Sequence, residues 1–301
     1  MKYFLKNTLN LPLGIVFSVL LWSCKAQYIS STDFTPEFGF TKGIEGPAVD
    51  KDGNLYAVNF EKEGTIGIVD GEGKGKIFLE LPGKSVGNGI RFDQNGNMFI
   101  ADYVGHNVYR VEKGGKEPKV HAHNPEMSQP NDLAIAPDGT IYLSDPNWAE
   151  STGRIWMVDK NKKIILLEEN MGTTNGIEVS PDGKKLYVNE SVQRNVWRYD
   201  IASDGSISKK ALFMAFEDFG MDGMRCDMKG NLYITRYDKG EIAIVSPEGK
   251  IIKEVKLKGK KPSNITFGGQ NGKTCFVTMA DRGCFESFMA PYPGNYFNQV
   301  H

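Results

Sequence analysis

The sequence has no surplus of either charge sign: 36 Lys and Arg oppose 37 Asp and Glu, a formal net charge of −1 over 301 residues. That balance excludes a field that would draw the chain to nucleic acid or to an anionic membrane. Cysteine is scarce. Beyond Cys24 only Cys226, Cys275 and Cys284 remain, an odd number, so at least one thiol stays unpaired. Cys226 and Cys275 occupy repeat positions held elsewhere by Phe, Ile, Val or Leu, which marks them as small buried hydrophobes without chemistry of their own. Helical periodicity is absent over any stretch long enough to build βαβ crossovers, which removes the parallel α/β folds.

What the N-terminus offers is a targeting pattern. Lys2 and Lys6 precede an apolar run at 9–22 and then Ser23-Cys24-Lys25-Ala26-Gln27. The run is short of the roughly twenty residues needed to span hydrocarbon, so residues 1–26 are expected to be a cleaved signal rather than a membrane span. Leu21-Trp22-Ser23-Cys24 has the form of a bacterial lipobox with an atypical Trp22, giving cleavage after residue 23 and a lipid on Cys24. Cleavage after Ala26 is the alternative. Either route exports the protein, to the periplasm or, as a lipoprotein, to the outer membrane of a Gram-negative bacterium, with Cys24 as its sole tie to a membrane.

From residue 45 onward one pattern recurs with a period of about 43 residues. Its copies begin Glu45-Gly-Pro-Ala-Val-Asp-Lys-Asp-Gly53, Asn88-Gly-Ile-Arg-Phe-Asp-Gln-Asn-Gly96, Asn131-Asp-Leu-Ala-Ile-Ala-Pro-Asp-Gly139, Asn175-Gly-Ile-Glu-Val-Ser-Pro-Asp-Gly183, Asp222-Gly-Met-Arg-Cys-Asp-Met-Lys-Gly230 and Asn264-Ile-Thr-Phe-Gly-Gly-Gln-Asn-Gly272. Each reads as strand, Gly-ended turn, strand, followed by one or two further β runs. Units of this length with up to four strands are propeller blades. The expected fold is therefore all-β, a six-bladed propeller of four-stranded antiparallel blades over residues 28–301. The sixth copy is too short for a whole blade, so residues 28–42 should supply its outer strand and close the ring.

Equivalent positions of successive blades lie at equal height around the central channel. The first residue of each copy is Glu45, Asn88, Asn131, Asn175, Asp222 or Asn264, every one a carrier of side-chain oxygen. Two carboxylates converging on one axis repel unless a cation or a shared proton compensates them, and amide oxygens complete a hard oxygen cage. Ca²⁺ tolerates irregular oxygen geometry and is the expected cofactor, with Mg²⁺, Mn²⁺ or Zn²⁺ as substitutes. Zinc fits less well because the ring lacks His and Cys, and His121-Ala-His123 has no third ligand nearby.

The segments Ile44-Glu-Gly-Pro47, Gln129-Pro-Asn-Asp-Leu133, Ile141-Tyr-Leu-Ser-Asp-Pro146, Thr174-Asn-Gly-Ile177, Met221-Asp-Gly-Met224 and Pro262-Ser-Asn264 resemble the gluconolactonase/regucalcin/luciferin-regenerating-enzyme-like propellers. The resemblance implies that Glu45, Asn131, Asn175 and Asp222 are metal ligands, with Asn88 and Asn264 around the same cavity. It also implies a small-molecule lactone or related ester as substrate, with Asp222 as general base. Where the animal members carry a sugar-binding Arg, this chain has Gln129, which leaves the identity of the substrate open. Asp145 and Trp148, in Ser-Asp-Pro-Asn-Trp148, are further substrate-binding candidates at the funnel mouth, although Asp145 equally suits an Asx turn.

Two motifs are decoys. Gly83-Lys-Ser-Val-Gly87 matches a nucleophile elbow but lacks the strand before it and the helix after it. Gly71-Glu-Gly-Lys-Gly75 lacks a βαβ setting for a phosphate loop. The competing functions are hydrolysis of phosphotriesters or other esters at the same site, and a non-catalytic propeller that binds a ligand or partner at the envelope.

Overall fold

The computed structural model describes residues 30–295, so the expected signal segment and Cys24 lie outside the described residues. Within them, 24 strands form six four-stranded antiparallel sheets, and no α-helix interrupts them. Five blades are contiguous in sequence, at residues 40–80, 87–123, 133–171, 174–215 and 224–256, each with its strands in chain order from the axis outward. These are the repeat units read from the sequence, and their turns show why the repeat ends in Gly. The six turn glycines, from Gly53 to Gly272, have φ between 67° and 91°, a region that a Cβ disfavours. Preceding Asp residues fasten the turns: Asp50 Oδ1 accepts from the backbone N–H of Asp52 and Asn54, both at 2.9 Å, and Asp227 Oδ1 does the same for Lys229 and Asn231.

The core is distributed rather than central. Buried apolar side chains form one cluster between each adjacent pair of blades; Tyr56, Val58 and Ile66 of the first blade, for example, meet Ile90, Met98 and Ile100 of the second. Sheet faces are thus buried on both sides, and the axis is left to polar groups. Cys226, Cys275 and Cys284 are free and buried in these clusters, at no more than 1% exposure, as hydrophobes.

The sixth blade is composite. Strands Pro262–Gly268, Thr274–Met279 and Cys284–Met289 are completed on the outside by Thr32–Asp33, in register Thr32↔Ser287 and Asp33↔Glu286. Charge locks this junction. Arg282 pairs with Asp33 (2.8 Å), Glu37 (2.7 Å) and Glu286. The fully buried Glu286 also accepts from the backbone N–H of Lys258 and Gly259 and from Ser31 Oγ.

Candidate metal centre

At one end of the axis the inner strands surround a cavity of about 310 Å³, lined by Glu45, Asn88, Asn131, Asn175 and Asp222. Five of the six residues that open the repeat copies are therefore brought together as the repeat implies. The chain places Glu45 there by a close approach: Gly46 has φ 57°, and a Cβ on it would lie 2.0 Å from the carbonyl oxygen of Asn88. Only Gly lets the first two blades meet at that height. Glu45, Asn131 and Asn175 are buried, while Asp222 and Asn88 are partly open to the cavity.

The electrostatics are those of a site awaiting positive charge. Burial, and then the neighbouring Asp132, raise the Glu45 carboxyl above its ordinary range. Burial, and then Glu45 itself, raise Asp222 well above its own. The Glu45 carboxyl lies close enough to Asp222 to disfavour its ionised form, so the pair favours either a proton or a cation. One amide oxygen is unsatisfied. Asn175 donates its Nδ2 to Ser191 Oγ at 3.0 Å, which fixes the amide plane, and its buried Oδ1 accepts no hydrogen bond. A buried acceptor without a donor is costly unless something outside the protein fills it. With two carboxylates and two or more amide oxygens, the donor set fits a hard divalent cation of the Ca²⁺ type. Among the described residues no group of three or more His, Cys, Asp and Glu is placed to hold a metal by itself; amides are essential to this site.

Beneath the ring lies a charged layer that sequence reasoning missed. Asp132 is fully buried and pairs with Arg91 (3.0 Å) and Arg225 (3.5 Å). Arg91 also approaches Glu178 at 3.8 Å, whose carboxyl burial raises to about 7 against the lowering effect of both arginines. Arg91, Glu178 and Arg225 each stand three residues after the ring residue of their blade. That spacing, charged in the middle of an inner strand, was the available signal. The two guanidinium groups also line a cavity of about 340 Å³ at the opposite end of the axis, which is larger than the ring cavity but contains none of the ring residues.

Two substrate-binding expectations need correction. Asp145 does not face the cavity: it is fully buried, and its carboxylate accepts from the backbone N–H of Ser128 (2.8 Å) and Gln129 (2.7 Å) and from Trp156 Nε1 (2.8 Å), with Arg154 at 3.2 Å. No acceptor capacity remains for a substrate. Asn264 is buried under the ring, where its Nδ2 donates to Glu45 Oε2 at 2.9 Å and to Asp132 Oδ2 at 3.3 Å. It orients the Glu45 carboxylate and does not line the cavity. Gln129 is half-buried and donates to the hydroxyl of Tyr103, which does line it. Trp148 lines the mouth and is 39% exposed. Tyr103 and Tyr237, both cavity-lining, were not anticipated. Ser85 is buried against the Tyr109 hydroxyl, His123 bonds Asn107, and His121 meets the ring of Phe99 edge-on.

Residues 38–281 match the family model described as SMP-30/Gluconolactonase/LRE-like region. A gluconolactonase of Zymomonas mobilis is 28% identical over 218 residues, which span 64% of this chain and 60% of that relative. A diisopropyl-fluorophosphatase of Loligo vulgaris is 28% identical over 283 residues, 82% of this chain and 88% of that relative. Among solved structures, a calcium-binding regucalcin from Agrobacterium tumefaciens shares the fold with a TM-score of 0.72 at 19% identity, covering 88% of this chain and 97% of that one.

Proposed function

The chain belongs to the SMP-30/gluconolactonase/LRE-like family, and on that premise we propose that it is a calcium-dependent lactonase. The observation that carries the proposal is the convergence of two carboxyls, Glu45 and Asp222, with the buried Asn175 Oδ1, which accepts no hydrogen bond, on one open cavity. Glu45, Asn131, Asn175 and Asp222 would hold the ion. When bound, it supplies Lewis-acid polarisation of the ester carbonyl and lowers the pKa of water.

The protein's own groups do the rest. Asp222 faces the cavity and acts as general base, taking a proton from the attacking water, a role worth roughly 10²–10⁴-fold. Glu45, anchored by Asn264 and by the N–H of Gly46 at 2.6 Å, keeps its carboxylate fixed and supplies compensating charge. Asn88 and the hydroxyls of Tyr103 and Tyr237 give the cavity wall hydrogen-bonding groups for the substrate, and Trp148 offers an apolar face at the mouth. The N-terminal pattern around Lys2, Lys6 and Cys24 supports an exported protein with an acyl anchor.

The Loligo relative, matched over 88% of its length, favours phosphotriesters as the second reading, since a P=O is polarised as readily as a C=O. A panel separates the two. Turnover of five- and six-membered lactones in excess of phosphotriester turnover is expected; turnover of phosphotriesters with none of any lactone contradicts the lactonase assignment.

A further inference from the structure

The funnel mouth is lopsided, and the asymmetry bears on the substrate class. In each blade the turn between the second and third strands opens onto this end of the axis, and five of the six such turns contribute a cavity-lining residue. In chain order these turns read Glu61-Lys-Glu-Gly64, Tyr103-Val-Gly-His106, Trp148-Ala-Glu-Ser151, Ser191-Val-Gln-Arg194, Tyr237-Asp-Lys-Gly240 and Ala280-Asp-Arg-Gly283. Blades five, six and one, which are consecutive around the closed ring, carry charged tips. Blades two, three and four carry at most one charged residue each, Glu150 or Arg194, beside the apolar Val104, Trp148 and Val192.

The basic groups of these tips are paired with carboxylates, while Lys42, on the inner strand of the first blade, lines the cavity. Lys62 pairs with Glu80 at 2.8 Å, Lys239 with Glu241 at 3.2 Å, and Arg282 with Asp33 and Glu37. The apolar side chains have no such cover: Val104 is 49% exposed and Val192 54%. They are also joined into one surface. Gln193 donates to the backbone oxygen of Ser151, whose own N–H donates to Trp148 O, so the tips of blades three and four are fastened together. The link into blade five adds Phe219, 47% exposed, next to Gly220, where a Cβ would lie 3.4 Å from the backbone oxygen of Ser191.

Isolated exposed hydrophobes are ordinary, but an apolar arc continuous with a cavity marks a surface that something covers. The catalytic groups reach only the ester itself. Building on the lactonase reading, we infer that the substrate is a lactone bearing an alkyl substituent, with its ring over Asp222 and its chain laid across Trp148, Val192 and Phe219. On this side the amide of Gln129 is spent on the Tyr103 hydroxyl.

The test is a homologous series from γ-butyrolactone to γ-decalactone, set against glucono-lactone, with kcat/KM measured for each. Native protein should gain roughly two- to fourfold per methylene over the first several carbons, the range that partial to full burial of a CH₂ supports. Trp148→Ser and Val192→Ser should each cut the decalactone-to-butyrolactone ratio about tenfold, whereas Asp238→Ser on the charged half should preserve it. Because a ratio cancels the fraction of active protein, impaired folding does not mimic the effect. A flat series, or glucono-lactone preferred over every alkyl lactone, overturns this inference alone. Absence of turnover across the whole panel removes the lactonase reading and this inference with it.

Discussion

At the scale of single residues, the site is defined by what its carboxyls do without a cation. Glu45 and Asp222 bind protons more tightly in the folded chain than in the unfolded one, because burial disfavours their ionised forms, reinforced by Asp132 beside Glu45 and by Glu45 beside Asp222. Glu178 shifts in the same direction. Folding therefore takes up protons, so this contribution to stability is complete below the ordinary carboxylate range and is lost as pH rises through about 7, where Glu45 and Glu178 titrate. A cation requires the ionised forms and reverses the trend. Metal-free protein should melt at progressively lower temperature between about pH 5.5 and 8, and the rise in Tm produced by Ca²⁺ should grow over the same interval. Equal calcium stabilisation at both ends of the range would contradict the assignment of the ion to these carboxyls. The ring itself was legible in the sequence because Glu45, Asn88, Asn131, Asn175 and Asp222 recur at one repeat position. The descent of Asn264 beneath the ring was not: spacing locates a Cα, and the pull of Glu45 and Asp132 on an amide is a three-dimensional fact.

At the scale of the element, each ring residue is held by a clasp from the strand beside it. The residue six or seven positions after the turn Gly is Asn59, Asp102, Asp145, Glu190 or Arg236 in the first five blades. Asn59 donates to Gly43 O, Asp102 accepts from Val86 N, Asp145 from Ser128 and Gln129 N, Glu190 from Gly172 N, and Arg236 donates to Asp218 O. All of these partners lie two to four residues before the ring residue of the same blade. Polar side chains there read naturally as cavity lining from sequence, since their regular recurrence looks like a second ring. Their function is to fasten the segment that precedes the ring residue. Replacing Asp145 by Ala strands three donors, two of them backbone N–H groups, and should cost about 2–4 kcal/mol in chemical denaturation. It should also weaken calcium binding by about tenfold in calorimetry through displacement of Asn131. Unchanged affinity in a folded Asp145→Ala protein would show that the clasp has no part in presenting the ligand.

At the scale of the whole molecule, the propeller works because its apolar burial lies between blades, which frees the axis for charge. One end holds the ring of Glu45, Asn88, Asn131, Asn175 and Asp222, the middle the Arg91–Asp132–Arg225 layer, and all of it depends on the propeller staying closed. Closure is legible in the short sixth repeat, although the charge that secures it is not, because Asp33, Arg282 and Glu286 fall outside the repeated pattern. Glu286→Ala leaves Arg282 and two backbone donors without their buried acceptor and should lower stability by about 3 kcal/mol or more. A loss below about 1 kcal/mol would mean that strand pairing alone secures the junction.

On the proposed reading this closed ring hydrolyses lactones with a divalent cation and Asp222 as base. That reading is tested most directly by the rate of lactone hydrolysis as a function of calcium concentration, in native protein and in an Asp222→Asn variant whose melting temperature shows it to be folded. Saturable activation by calcium in the native protein, abolished by a chelator and reduced at least about a hundredfold in the variant, is the predicted result. Equal rates in the two proteins, or a native rate indifferent to chelation, would contradict it.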